Sequence, residues 1–238
     1  EKGVKRLTHD LPDDTVIRGV GISAPNGNYY TGRIVNSPSL PFNTTLDIVQ
    51  TIKKRLGYKL VVVTNDADAV ALGELLYGGA RNMSNFIEVI IRFGLGAGII
   101  VDRHVMQGKT GISGELGHTK VNGKKRKCGC GKTGCLETFV SHQGIMRNII
   151  ELSSEDADAL PSESTTKMKI DEMLELVNLG NPKAVKAFSM SGAYLGEALS
   201  DLDALFDPEA IFIQGYVLKA GDAFLKPLNE KFNETSSF

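Results

Sequence analysis

The chain has almost no net charge: 27 Lys and Arg stand against 28 Asp and Glu across 238 residues. Without an excess of either sign, there is no electrostatic reason to expect a nucleic acid or an anionic membrane as the main partner. A membrane-length apolar run is also missing. The longest candidate, residues 86–101, contains Glu88 and Arg92 and is broken by Gly94, Gly96 and Gly98, well short of the roughly 20 apolar residues of a bilayer crossing. No basic, apolar secretory segment is read at the start, and neither internal repeats nor low-complexity tracts are seen. Cysteine is scarce, with 3 residues, all between positions 128 and 135. An odd, clustered set argues against a secreted disulfide framework. It points to a reducing compartment, the cytoplasm, and to a metal-binding task.

What is present is ordinary for a globular protein: 42% hydrophobic and 23% charged residues. A chain of this size can bury about 70% of its unfolded surface without covalent staples. Residues 16–22 predict a strand, and 37–41 a proline-punctuated loop. Helical spacing over 46–56 is followed by a continuous apolar run at 60–63, the pattern of a buried strand. A helix is expected from Ala67 to the pair Gly78-Gly79. Two strands are read around the run Gly94-Leu95-Gly96-Ala97-Gly98, with a third at 104–106 completing a meander. Further on, 144–152 is helical, 153–164 is an acidic linker, helices follow from position 170, and a long helix at 192–205 precedes a strand at 210–213. Strands alternating with helices define the class as α/β.

The strongest chemical signal is His118, nine residues, Cys128-Gly129-Cys130, four residues, Cys135. Zinc takes four N or S ligands in a tetrahedron, and Cys3His is a common structural set. Gly129, Gly131 and Gly134 permit the tight backbone that such convergence needs. Lys124, Lys125, Arg126, Lys127 and Lys132 crowd the segment and favour thiolates. The competing reading is three small core cysteines beside a solvated basic loop. Asp66, following a buried strand at a helix start, reads either as a helix cap or as a rigidly held base. Glu115 and Glu137 are either ligand-binding carboxylates or partners of the nearby lysines.

Gly114-Glu115-Leu116-Gly117-His118, with Cys128-Gly-Cys130-Gly-Lys-Thr-Gly-Cys135-Leu136-Glu137, resembles the signature of the ROK family (repressors, open reading frames and sugar kinases), closest to glucokinase-like members. Residues 21–28 resemble its Gly-x-x-x-Pro sugar-side loop. Asn65-Asp66-Ala67-Asp68 with Leu72-Gly73-Glu74 is similar to its Asn-Asp-x-Asn…Leu-Gly-Glu block. The resemblance implies an actin-like ATPase (ribonuclease H-like) two-lobe sugar kinase fold. Part of a smaller α/β lobe is expected at 1–80 and a larger one with the zinc loop at 81–238. The first lobe is expected to be incomplete: no Asp-x-Gly-Gly-Thr strand is read before Val16, and no helix is read after the Gly215 loop.

The implied activity is ATP-dependent phosphorylation of a hexose, with Mg-bound ATP as co-substrate and a structural zinc on His118, Cys128, Cys130 and Cys135. Asp66 is the implied base, and Asn65, Glu115, His118 and Glu137 the sugar ligands. Gly94, Gly96, Gly98 and Gly215 are the implied nucleotide-side residues. A homo-oligomer is expected. Three departures bear on nucleotide use: Leu95 where the family has Thr, Tyr216 in place of a second Gly, and Asp68 in place of Asn. The alternative from the same family is a sugar-responsive transcriptional regulator without kinase activity, and only that alternative brings a nucleic-acid partner. A zinc-stapled interaction module is a more distant third.

Overall fold

The computed structural model describes residues 2–12, 14–35, 44–153 and 168–236. The loop expected at 37–41 and residues 154–164 of the expected acidic linker lie outside them. The chain divides into two compact units. One comprises Glu1–Val70 and Gln107–Ser113, the other Ala71–Met106 and Gly114–Phe238. Among the described residues no helix is long and apolar enough to cross a membrane.

The first unit opens with helix α1, Lys2–Thr8, which buries none of its residues. Such a helix carries no apolar stripe and so gives the sequence no helical period to show. Strand β1, Val20–Ser23, begins four residues later than the sequence pattern implies. It runs parallel to β4, Val61–Thr64, with Val20 opposite Val61 and Ser23 opposite Thr64. Parallel neighbours need a crossover, and its helical element is α2, Ile48–Leu56. The Asp47 side chain caps α2 by accepting from the Gln50 amide at 3.2 Å, and Gly57 closes it in the left-handed conformation. A short hairpin, β2 (Gly27–Asn28) with β3 (Arg33–Ile34), completes a small core of Ala24, Ile34 and Val63. Helix α3, Asp66–Tyr77, leaves β4 directly, and the division between units falls within it after Val70.

The second unit is built on a four-stranded sheet in the order β7-β6-β5-β8. Here β5 is Phe86–Ile91, β6 Leu95–Val101, β7 His104–Val105 and β8 Ala210–Gly215. The central strand β5 is buried at every position and pairs antiparallel with β6 and parallel with β8. Its two faces separate cleanly. Ile87, Val89 and Ile91 join a core with Phe139, Ile145, Met173, Phe188, Leu195 and Phe224. Those residues come from helices α4 (Glu137–Val140), α5 (His142–Ser153), α6 (Ile170–Asn178), α7 (Pro182–Phe206) and α8 (Asp222–Thr235). Phe86 and Ile100 face the other way, against Ala71, Leu75 and Ala80.

Two expectations are corrected. Helix α7 starts ten residues before position 192, because Asn181 caps it and Pro182 opens it. The cap's side chain accepts from the amides of Lys183 and Ala184, each at 3.1 Å. A fourteen-residue helix, α8, does follow Gly215. Pro227 within it reads locally as a helix breaker, but burial of Phe224 and Leu228 overrides that local signal.

Glu88 lies at the centre of β5, fully buried, between Gly98 of β6 and Phe212 of β8. Neither carboxyl oxygen has a hydrogen-bond partner among the described residues. Burial, and then the negative charge of Glu74, push its pKa from an ordinary 4.5 up to about 7. Folding therefore favours the protonated carboxyl. The stability it contributes is complete below about pH 4.5 and is lost as pH rises through 7. Glu88→Gln should consequently melt higher than the parent protein, by a margin that opens between pH 5 and 7.5 and is constant above. Thermal denaturation across that range checks it, and a pH-independent margin would rule it out.

Candidate functional site

The cysteine segment folds back on the turn that carries His118. A single 3-10 turn, Leu116–His118, leads into a strip in which Lys120 pairs antiparallel with Cys135, and Lys127 with Thr133. The tight return depends on Gly134, whose φ is +74° and where a Cβ would lie 2.4 Å from the Lys124 carbonyl. One ligand atom from each of His118, Cys128, Cys130 and Cys135 comes within 4.8 Å of all the others. Cys130 Sγ is 3.7 Å from Cys135 Sγ, and Cys128 Sγ is 3.8 Å from His118 Nδ1. A disulfide needs about 2 Å, and all three cysteines are free. With Zn–S bonds of about 2.3 Å, the edge of a tetrahedral site is about 3.8 Å. The donor set and its spacing thus fit one four-coordinate zinc. Lys120 Nζ, 3.7 Å from Cys135 Sγ, adds a positive charge beside the thiols.

Because Nδ1 of His118 faces Cys128, its Nε2 is left for the other side, where Glu115 Oε2 lies 3.6 Å away. Glu137 is the first residue of α4, delivered there by the same strip through the bond from the Leu136 amide to the Thr119 carbonyl, 2.9 Å. Its carboxylate accepts from the Leu95 amide at 3.1 Å. The Gly114 carbonyl accepts from the Ala97 amide at 3.0 Å, so the segment carrying Glu115 and His118 is itself seated on β6. The glycine-rich run is mostly strand: only Arg92, Phe93 and Gly94 form the β5–β6 turn, while Gly96 and Gly98 lie within β6 opposite Ile90 and Glu88. Gly215 ends β8 opposite Ile91. Tyr216, which follows it, turns its ring into the core, edge-on to His142 and Phe188. Burial raises the pKa of its phenol.

Asn65 and Asp66 belong to the first unit. The helix cap here is Asn65, not Asp66: the Asn65 side chain accepts from the Ala67 amide at 2.9 Å. Asp66 is the first helical residue, half-buried, with one oxygen 3.2 Å from the same amide. Asp68 is buried and receives Gln107 Nε2 at 3.3 Å and the Thr64 hydroxyl at 3.5 Å.

Arg126 is a structural residue that the sequence concealed inside a run of four basic residues. Its guanidinium is almost fully buried, stacked 4.2 Å over the Phe139 ring and paired with Glu151 at 2.5 Å. It also donates to the Thr138 carbonyl, one residue beyond Glu137. The planar, five-donor head that permits stacking and several bonds at once is what Arg offers and Lys does not; no other signal marked it.

The model of the ROK family matches residues 1–236. A glucokinase of Halalkalibacterium halodurans is 32% identical over 234 residues, covering 96% of this chain and 70% of that protein. The solved structure of a ROK family transcriptional regulator, a homologue of the E. coli MLC protein, superimposes with a TM-score of 0.82 at 30% identity. This chain spans 58% of that regulator's length. A ROK family glucokinase from Streptomyces griseus, solved in complex with glucose and AMPPNP, superimposes with a TM-score of 0.80 at 26% identity. All of this chain and 78% of that one are covered.

The Arg126 contacts predict a contrast within the basic run. Arg126→Ala should cost about 3 kcal/mol by removing its pair with Glu151, which keeps Arg147, and its bond to the Thr138 carbonyl, and by opening a gap beneath Phe139, whereas Lys125→Ala should stay within about 0.5 kcal/mol. Denaturant unfolding of the two variants measures the difference, and equal costs would mean that Arg126 is one more solvated cation.

Proposed function

Since this chain belongs to the ROK family and has its actin-like ATPase fold, we propose that it carries the hexose-binding and catalytic residues of an ATP-dependent sugar kinase. The observation that carries the reading is the two-sided His118. One ring nitrogen belongs to the Cys3His cluster and the other faces Glu115. A metal ligand whose second nitrogen is fixed by its surroundings is held in one tautomer, and its Nε2–H can donate to a sugar hydroxyl at a defined place. Glu115 and Glu137 would accept from neighbouring hydroxyls, and Asn65 would donate from the end of its capped amide. Zinc, held by His118, Cys128, Cys130 and Cys135, would supply structural anchoring and no catalytic chemistry. Mg-bound ATP would lie on the side of Gly94, Gly96, Gly98 and Gly215.

In the transfer itself, Asp66 accepts the proton of the attacking hydroxyl as its oxygen bonds to the γ-phosphorus and the bond to the ADP leaving group breaks. The position suits a base, since the first residue of a helix on a buried strand is rigid. Asn65 already fills the capping role that would otherwise account for an acid there.

A second reading is kept by one observation: the structural relative with a TM-score of 0.82 is a transcriptional regulator. In that case the same sugar ligands would sense a hexose without phosphorylating it.

Asp66→Asn separates the two. In the protein that carries this chain, the substitution should lower kcat for ATP-dependent glucose phosphorylation by about a thousandfold and leave KM for glucose near the parent value. A variant as active as the parent would remove Asp66 as the base. A parent protein that binds glucose and never phosphorylates it would establish the regulator reading instead.

A further inference from the structure

Gly94 invites assignment to phosphate binding because it opens a glycine-rich run. Its surroundings add a second task. Gly94 does not have a positive φ, so the backbone conformation does not demand glycine there. The turn is closed by the Arg92 amide donating to the Gly94 carbonyl at 2.9 Å, which any residue could supply. What glycine provides is space. A Cβ at position 94 would lie 2.9 Å from Glu137 Oε2, and among the described residues, beyond its chain neighbours, that carboxyl group holds the only atoms within 4 Å. The same Oε2 receives the Leu95 amide at 3.1 Å. The turn therefore presents one backbone donor to the Glu137 carboxylate and removes the side chain that would push it away.

We propose that Gly94 is a positioning residue for the Glu137 carboxylate, and through it a determinant of hexose affinity. This deepens the reading of Glu137 as a sugar ligand and rests on it. The physical logic is that of a preorganised acceptor. With one oxygen held by a fixed amide, the carboxylate keeps a single orientation, and a hydroxyl that binds it does not have to immobilise a long, free side chain. Without that hold, ordering the side chain is charged to each binding event. The obstructing atom is the far end of a flexible side chain rather than backbone. Gly94→Ala should accordingly fold and move the carboxylate, not the strand.

Four proteins decide the matter: parent, Gly94→Ala, Glu137→Ala and the double variant, each titrated calorimetrically with D-glucose in the absence of nucleotide. Gly94→Ala should melt close to the parent and bind glucose about tenfold more weakly, roughly the value of one lost hydrogen bond to a charged group. In the Glu137→Ala background, measured at high glucose concentration, the same substitution should add less than a twofold loss, because the group it displaces is gone. The Leu95 amide resonance in an NMR spectrum of ligand-free protein should shift in both single variants. Parent-like glucose binding by Gly94→Ala would overturn the inference, as would a tenfold loss that persists without Glu137. A parent protein that binds no glucose, with the Leu95 shift still present, would instead refute Glu137 as a sugar ligand and leave only the contact between the turn and the carboxylate.

Discussion

Three thiols and an imidazole nitrogen within 4.8 Å of one another form a donor set that fits a single cation. Each donor offers a lone pair to the same small volume, and thiolates so placed repel one another unless a metal neutralises them. The loop that brings them together has little apolar material of its own: between Lys120 and Cys135, only Val121, Cys128 and Cys135 join the buried hydrophobic residues. Its cohesion comes from ligand convergence, a narrow antiparallel strip and the buried Arg126. The candidate sugar-facing groups of the second unit are tied to that loop. His118 is a member of the cluster, Glu115 faces its far nitrogen, and Glu137 follows two residues after Cys135.

The sheet contributes the other half of the support. Strand β6 is gripped by the Gly114 carbonyl at Ala97 and by the Glu137 carboxylate at Leu95. Both segments thus lie on β6, directly after the turn that contains Gly94. Gly98 of the same strand sits opposite the fully buried Glu88. A buried carboxyl that costs stability at neutral pH, in the middle of the central strand, is the kind of local inconsistency that function tends to preserve.

The α/β class and the membership of the Cys3His cluster were legible from the sequence, because alternation of periods and cysteine spacing are local signals. What escaped was decided by tertiary contacts. The apolar contacts of Phe224 and Leu228 make α8 despite Pro227, and the surface helix α1 has no apolar stripe to announce it. The run from Gly94 to Gly98 looked like a loop because glycine is poor in strands, but pairing with β5 on one side and support from Gly114 on the other hold it extended. Asp66 was the cap candidate in the sequence, and only side-chain geometry assigned the cap to Asn65. Tyr216, expected at the adenosine loop, turns inward instead, against two rings that lie 74 and 28 residues earlier in the sequence. Arg126 was indistinguishable from Lys125 by charge and is separated from it by burial alone.

The central claim is that the metal cluster organises the hexose-facing side chains. Its most direct measurement is glucose affinity in the protein as purified without chelator, after stripping with chelator, and after zinc is returned, with zinc per chain determined at each stage. The account predicts about one zinc per chain at the start, loss of glucose binding on stripping and recovery on restoration. Unchanged glucose affinity in zinc-free protein, or three thiols that titrate freely in the native state, would contradict it.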